Sequence, residues 1–298
     1  MSSDNRLAAG TLFCLASGAA FGAMAVFGKL AYDNGATVGT LLAVRFSLAA
    51  ALFWVLVPLR ELRALGARDV RAGLALGACG YALQAGCYFV ALGRIEASLL
   101  ALLLYTFPAL VAAAAVALGR ERFGSRHVIA VFLATGGLTL AIAGAGTGAL
   151  DPWGVALGLG AAVVYSVYIL VSDGIAARVQ PRVLAALVCT GAAGTLAVGS
   201  ALLGELRLGD LTGAGWAWMA CLAVVSTVAA ITLFFAGLER VGPTSAAILS
   251  TVEPLVTVAL AFVVFGERLG TIQLLGGMLV LAAVVPATLA SRRQEALA

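Results

Sequence analysis

Charge is what this chain has least of. Only 11% of its 298 residues are charged, against roughly a quarter in an ordinary soluble domain, while 62% are hydrophobic and the mean hydropathy is +1.08. Histidine is scarcer still: His127 beside Arg126 is the single one. It reads as interfacial, and a histidine-dependent catalytic triad has nowhere to assemble. The five cysteines, at 14, 79, 87, 189 and 221, form no C-x-x-C pair. That removes the usual zinc spacing, and they read as small apolar packing residues. The run GAMAVFGKL, 22–30, has five residues between its glycines where a phosphate-binding loop needs four, and no Ser or Thr follows Lys29. No metal, no cofactor and no direct use of ATP by this chain are therefore expected. The net charge of +4 needs no nucleic-acid partner, because its distribution has another explanation.

What the chain does have is long apolar runs of the length needed to cross a hydrocarbon core. Ten spans are predicted at 8–31, 37–59, 71–92, 98–118, 127–146, 153–172, 182–203, 214–236, 245–265 and 270–290. Backbone groups in lipid must be satisfied within each segment, so these are helices. The expected class is an all-α polytopic membrane protein. The first run is too long for a signal-peptide core and is followed by no small-x-small site, so it is read as the first span. With the N-terminus in the cytoplasm, thirteen arginines fall on inside segments and three, Arg94, Arg207 and Arg268, on outside ones. Such a bias is the positive-inside signature. It implies a multi-pass protein of the cell inner membrane, with both termini cytoplasmic and the lipid bilayer as its surroundings.

Residues 105–123, YTFPALVAAAAVALGRERF, and 250–269, STVEPLVTVALAFVVFGERL, repeat one pattern. A shift of 146 carries Pro108 onto Pro254, Leu92 onto Leu238, Arg94 onto Arg240, Glu121 onto Glu267 and Arg122 onto Arg268. The unit is five spans, giving halves at 1–147 and 148–298. An odd number of crossings predicts two five-helix repeats of inverted topology, a hallmark of secondary transporters. Ten helices in two five-helix halves, with prolines in the fourth and ninth spans before G-R-E-R (119–122) and G-E-R-L (266–269), resemble the EamA type of the drug/metabolite transporter superfamily. The resemblance covers essentially the whole chain. It implies export of amino acids and related metabolites, and it does not fix the substrate.

Polar and aromatic residues single out certain helix faces. Tyr81, Gln84 and Tyr88 share one face of span 3, Tyr165 and Tyr168 one face of span 6, and span 4 adds Tyr105. These residues and Glu253 are the candidate substrate-binding set. Glu253 has no counterpart in the first half, where Phe107 stands. An intramembrane acid is costly and faces a cavity or a partner, so proton coupling, substrate binding and a merely structural pairing all stay open for it. Pro108 and Pro254 are read as gating or helix-bending positions. Lys29 is expected to snorkel to the interface, and Arg45 is expected to be held in a structural ion pair or carbonyl clamp, with substrate contact as the alternative. The glycine pairs 18/22, 73/77 and 154/158 have the small-xxx-small spacing that lets helices approach. Spans 5 and 10, with almost nothing polar at their centres, read as scaffold or lipid-facing helices.

The expected function is a secondary transporter of small organic metabolites, amino acids first and aromatic ones favoured. It would work by alternating access at a cavity formed mainly by spans 1, 3, 4, 6, 8 and 9. A lipid translocator or channel is the alternative. An enzyme acting on lipids would need an acid, base and nucleophile at one interface, and none is visible. The sequence does not fix the oligomeric state.

Overall fold

The computed structural model describes residues 3–58, 60–61, 65–119, 124–144 and 151–295. Among them there is no strand, and ten helices are long and apolar enough to cross a membrane. They are α1 (Arg6–Asp33), α2 (Val38–Leu56), α3 (Ala67–Leu92), α4 (Ala97–Ala117) and α5 (Ser125–Gly144), then α6 (Pro152–Ala176), α7 (Pro181–Leu202), α8 (Gly213–Val241), α9 (Ser245–Phe265) and α10 (Thr271–Leu289). Local chemistry sets several starts. Pro152 and Pro181 open α6 and α7 at the first turn, where a missing N–H costs nothing. Thr37 and Thr212 cap α2 and α8 by accepting from Thr40 N and Gly215 N.

The helices pair across the middle of the sequence. α1 packs on α8, α2 on α7, α3 on α6, α4 on α9 and α5 on α10. Advancing every helix by five leaves this set of pairs unchanged. Lipid offers no hydrophobic drive between helices, so such contacts depend on close packing, and glycine supplies it. A Cβ on Gly22 would stand 2.6 Å from the carbonyl oxygen of Glu253, and one on Gly77 would stand 2.0 Å from that of Val188. The glycine pairs 18/22 and 73/77 press on a neighbouring helix in this way, while of the third pair Gly158 meets α4 and Gly154 meets Arg94 and Ile95 in the turn before it.

Four spans depart from regular α-helix at matching places. α3 carries a π-helical segment at Leu76–Tyr81 and α8 one at Val224–Ala229. α4 breaks at Tyr105–Thr106 and α9 at Ser250–Thr251. The prolines explain the breaks. Pro108 and Pro254 have no N–H for the carbonyl four residues earlier, Leu104 or Ser250, and their rings crowd it. Both helices therefore stop and restart with proline in the first turn. The earlier copy of the repeated ending, Glu121–Arg122, lies outside the described residues.

Candidate functional site

The two breaks lie against one another beside a cavity of about 530 Å³. Tyr105, at the break of α4, donates its hydroxyl to the Ser250 carbonyl at 2.5 Å. Pro254 cannot supply that carbonyl's i+4 donor, and the carbonyl accepts from Glu253 N at 3.0 Å as well as from Tyr105. Glu253, in the first turn of the restarted helix, has its Oε2 at 3.1 Å from the same hydroxyl. It is half-buried and faces the cavity. The helix start beneath it supplies partial positive charge, which favours an acid there.

Tyr81, Gln84, Tyr88, Tyr105, Tyr165, Tyr168, Glu253 and Pro108 all line this one cavity. Pro254 does not; it is buried behind the break. The aromatic rings form a continuous arc. Phe46 meets Tyr81 edge-on at 5.4 Å, Tyr81 tilts onto Tyr168 at 5.4 Å, and Tyr168 stacks on Tyr165 at 6.1 Å. Tyr165 then meets Phe107 at 4.8 Å and Phe107 meets Tyr105 at 5.7 Å, both edge-on. Such contacts are favourable beyond the area they bury, and they give the wall a defined shape. Phe107, which occupies Glu253's place in the first half, is a link in the arc.

More helices reach the cavity than periodicity foretold. Beyond spans 1, 3, 4, 6, 8 and 9, α2 contributes Arg45, α7 contributes residues such as Leu184 and Cys189, and α10 contributes Val284, Ala287 and Thr288. The scaffold reading of span 10 is thus corrected. Its lining residues are small or apolar, so no polar face announced them. Among the described residues, α5 lines none of the cavity. Arg45 is the residue most underrated by sequence. It is 2% exposed, lines the cavity and has no carboxylate in reach among the described residues.

The cavity extends to Pro181 at the start of α7 and Thr288 at the end of α10, the face on which α10 ends and the odd-numbered spans begin. At the opposite face a cluster of polar contacts links α1, the segment after α9 and the start of α4. Lys29 Nζ lies 2.7 Å from Glu267 Oε1, so Lys29 is paired and not snorkelling. Glu267 also accepts from Ala97 N at 3.1 Å, Ser98 N at 3.0 Å and Ser98 Oγ at 2.8 Å, capping the start of α4. Burial works to raise this carboxyl, but the Lys29 ammonium and the Ser98 and Ala97 N–H groups outweigh it and hold Glu267 below the ordinary carboxylate value. His127, expected at the interface, is buried at the start of α5.

The profile of a family described as EamA-like transporters matches residues 8–143 and again 152–289. The chain belongs to the EamA-like transporter family. Each match spans five of the helices. Among similar proteins, one named as the uncharacterized transporter YcbK of Bacillus subtilis is 27% identical over 288 residues, 90% of this chain and 89% of its own. An uncharacterized transporter of Archaeoglobus fulgidus is 29% identical over 203 residues, 68% of this chain and 71% of its own. A solved crystal structure that is 21% identical superposes with a TM-score of 0.64, covering 97% of this chain and 99% of that one. That likeness carries the fold. Membership of a transporter family makes this EamA-type chain a membrane transporter with a small-molecule substrate, and not an enzyme.

Proposed function

We propose that this EamA-type chain is a secondary transporter of the cell inner membrane that exports amino acids and related metabolites, aromatic ones foremost. The observation that carries the reading is the cavity between residues 8–143 and 152–289, walled by tyrosine and phenylalanine and holding the acid Glu253. Aromatic walls suit planar solutes by stacking, and they suit amines by cation–π attraction. Overall the chain also resembles the aromatic amino-acid exporter YddG.

The mechanism we favour is alternating access between two halves, 1–147 and 148–298, of inverted topology. A five-helix unit crosses an odd number of times, and the helix pairing is unchanged by a shift of five, both of which support it. The arginine bias supports a cytoplasmic position for both termini. A cavity reaching that face would load from the cytoplasm, as export requires.

Glu253 is proposed as the proton-coupling group. The Tyr105 hydroxyl carries one hydrogen and meets two acceptors, the Ser250 carbonyl and the Glu253 carboxylate. A protonated Glu253 donates to the phenol oxygen while Tyr105 donates to Ser250, and both are satisfied. An ionised Glu253 competes for the single hydrogen. Loss of the proton therefore disturbs the contact between the two broken helices, which is where a rocking motion would be governed.

The test is uptake of a labelled panel into proteoliposomes: aromatic, aliphatic, hydroxy and cationic amino acids, a nucleoside and a sugar, with and without a pH gradient. Saturable, gradient-dependent movement of the aromatic members is expected. Movement of fluorescent lipid or an ionic conductance, with no panel member transported, would replace this reading by the lipid-translocator or channel alternative.

A further inference from the structure

Arg45 and Glu253 are the two charged residues among those lining the cavity, and they are not paired with each other. A guanidinium carries five N–H donors. Arg45 uses one of them: Nε donates to Thr227 Oγ1 at 2.9 Å. Thr227 in turn donates to the Leu222 carbonyl at 2.8 Å, within the distorted stretch of α8, so the acceptor is held in place. The guanidinium carbon lies 5.0 Å from the centre of the Phe46 ring and 5.2 Å from that of Phe89. The rings and Thr227 fix the plane of the group. Among the described residues, its Nη atoms have no hydrogen-bond partner. A structural ion pair or a carbonyl clamp would have spent those Nη donors on a carboxylate or on backbone. A buried cation with its fork unspent is expensive unless something arrives to pair with it.

We propose that the Arg45 fork is the seat for a carboxylate on the transported solute. This rests on the reading of the cavity as the transport site. Planar bidentate geometry suits a carboxylate or a phosphate. With one cation and one acid, the cavity has no surplus positive charge to hold a phosphate dianion, so the carboxylate is the fitting anion. The arc from Phe46 through Tyr81, Tyr168, Tyr165 and Phe107 to Tyr105 then spans the space between the anion seat and Glu253. A solute with a carboxylate, an amine and an aromatic or apolar body matches all three features at once.

The test uses the full chain in lipid nanodiscs and reads thermal stabilisation by three probes of one shape: phenylalanine, 3-phenylpropionate without the amine, and 2-phenylethylamine without the carboxylate. Wild type is expected to be stabilised by all three probes. Arg45→Gln should abolish the 3-phenylpropionate response and keep that of 2-phenylethylamine, while Glu253→Gln should do the reverse. Arg45→Lys keeps the charge and loses the fork, and serves if Arg45→Gln does not fold. It should weaken 3-phenylpropionate binding by about tenfold or more, with the amine probe unchanged. The proposal is overturned if 3-phenylpropionate fails to stabilise wild type. Equal weakening of both probes by the Arg45 variants would overturn it too, since that is what a purely structural arginine gives. Failure of the transport reading is seen separately: the uptake panel stays still while 3-phenylpropionate binds through Arg45.

Discussion

The broken helices α4 and α9 share one backbone device and carry different chemistry. In each, a proline frees a carbonyl and the helix restarts within two residues. In α4 the residue before the proline is Phe107, which packs between Tyr105 and Tyr165. In α9 it is Glu253, which meets the Tyr105 hydroxyl. The break is thus a property of the repeat, while the charge belongs to one half. One half supplies the ring and the hydroxyl, and the other supplies the acid and the freed carbonyl. Neither site is complete without its opposite.

The comparison can be broken most severely at the acid. Glu253→Gln keeps the shape and removes the exchangeable proton, so uptake with a pH gradient should fall to the rate seen without one. Unchanged gradient dependence in that variant would end the coupling proposal. Writing the acid into the other half should be nearly as damaging. Phe107→Glu puts a second carboxylate beside Tyr105 and deletes a link of the arc, at a cost on the order of 3 kcal/mol for a charge at mid-membrane. Thermal unfolding in detergent reads that loss, and an unaltered midpoint would contradict the proposed asymmetry. Tyr105→Phe is milder. It removes the hydroxyl shared by the Ser250 carbonyl and Glu253 while the carbonyl keeps the Glu253 N–H at 3.0 Å, so about 1 kcal/mol of stability should go with it.

A smaller effect is expected at the opposite face, where Lys29→Met leaves Glu267 with only its N–H and hydroxyl donors. A partly exposed pair contributes about 1 kcal/mol or less. Its pH dependence has a definite sign. Glu267 is held below its ordinary value, so its contribution is present above the unfolded carboxylate pKa and is lost as pH falls through the folded one. Wild type and Lys29→Met should therefore differ at neutral pH and converge in acid. A gap that widened in acid would contradict the assignment.

Much of this architecture is legible in the sequence. Run length locates the ten spans, and helical spacing locates the tyrosine faces of α3 and α6, because both are local signals. What stays hidden depends on contacts across the whole chain. Lys29 meets Glu267 from 238 residues away and Tyr105 meets Glu253 from 148 away. Arg45 reads first as paired or clamped because sequence shows that a charge is buried and not that its fork is idle. The part α10 plays is invisible for the opposite reason: Val284 and Ala287 line the cavity without any polar mark.

The central claim is that solute passes through the cavity between the halves. It is tested most directly by filling that cavity. Ala247, half-buried in its wall, should be replaced by tryptophan, with Val55→Trp on the outer surface (83% exposed) as the control. Both variants would be assayed for uptake of a labelled aromatic amino acid in proteoliposomes. The account predicts that Ala247→Trp folds and transports nothing measurable, while Val55→Trp transports as wild type does. Undiminished uptake by a folded Ala247→Trp protein would contradict it.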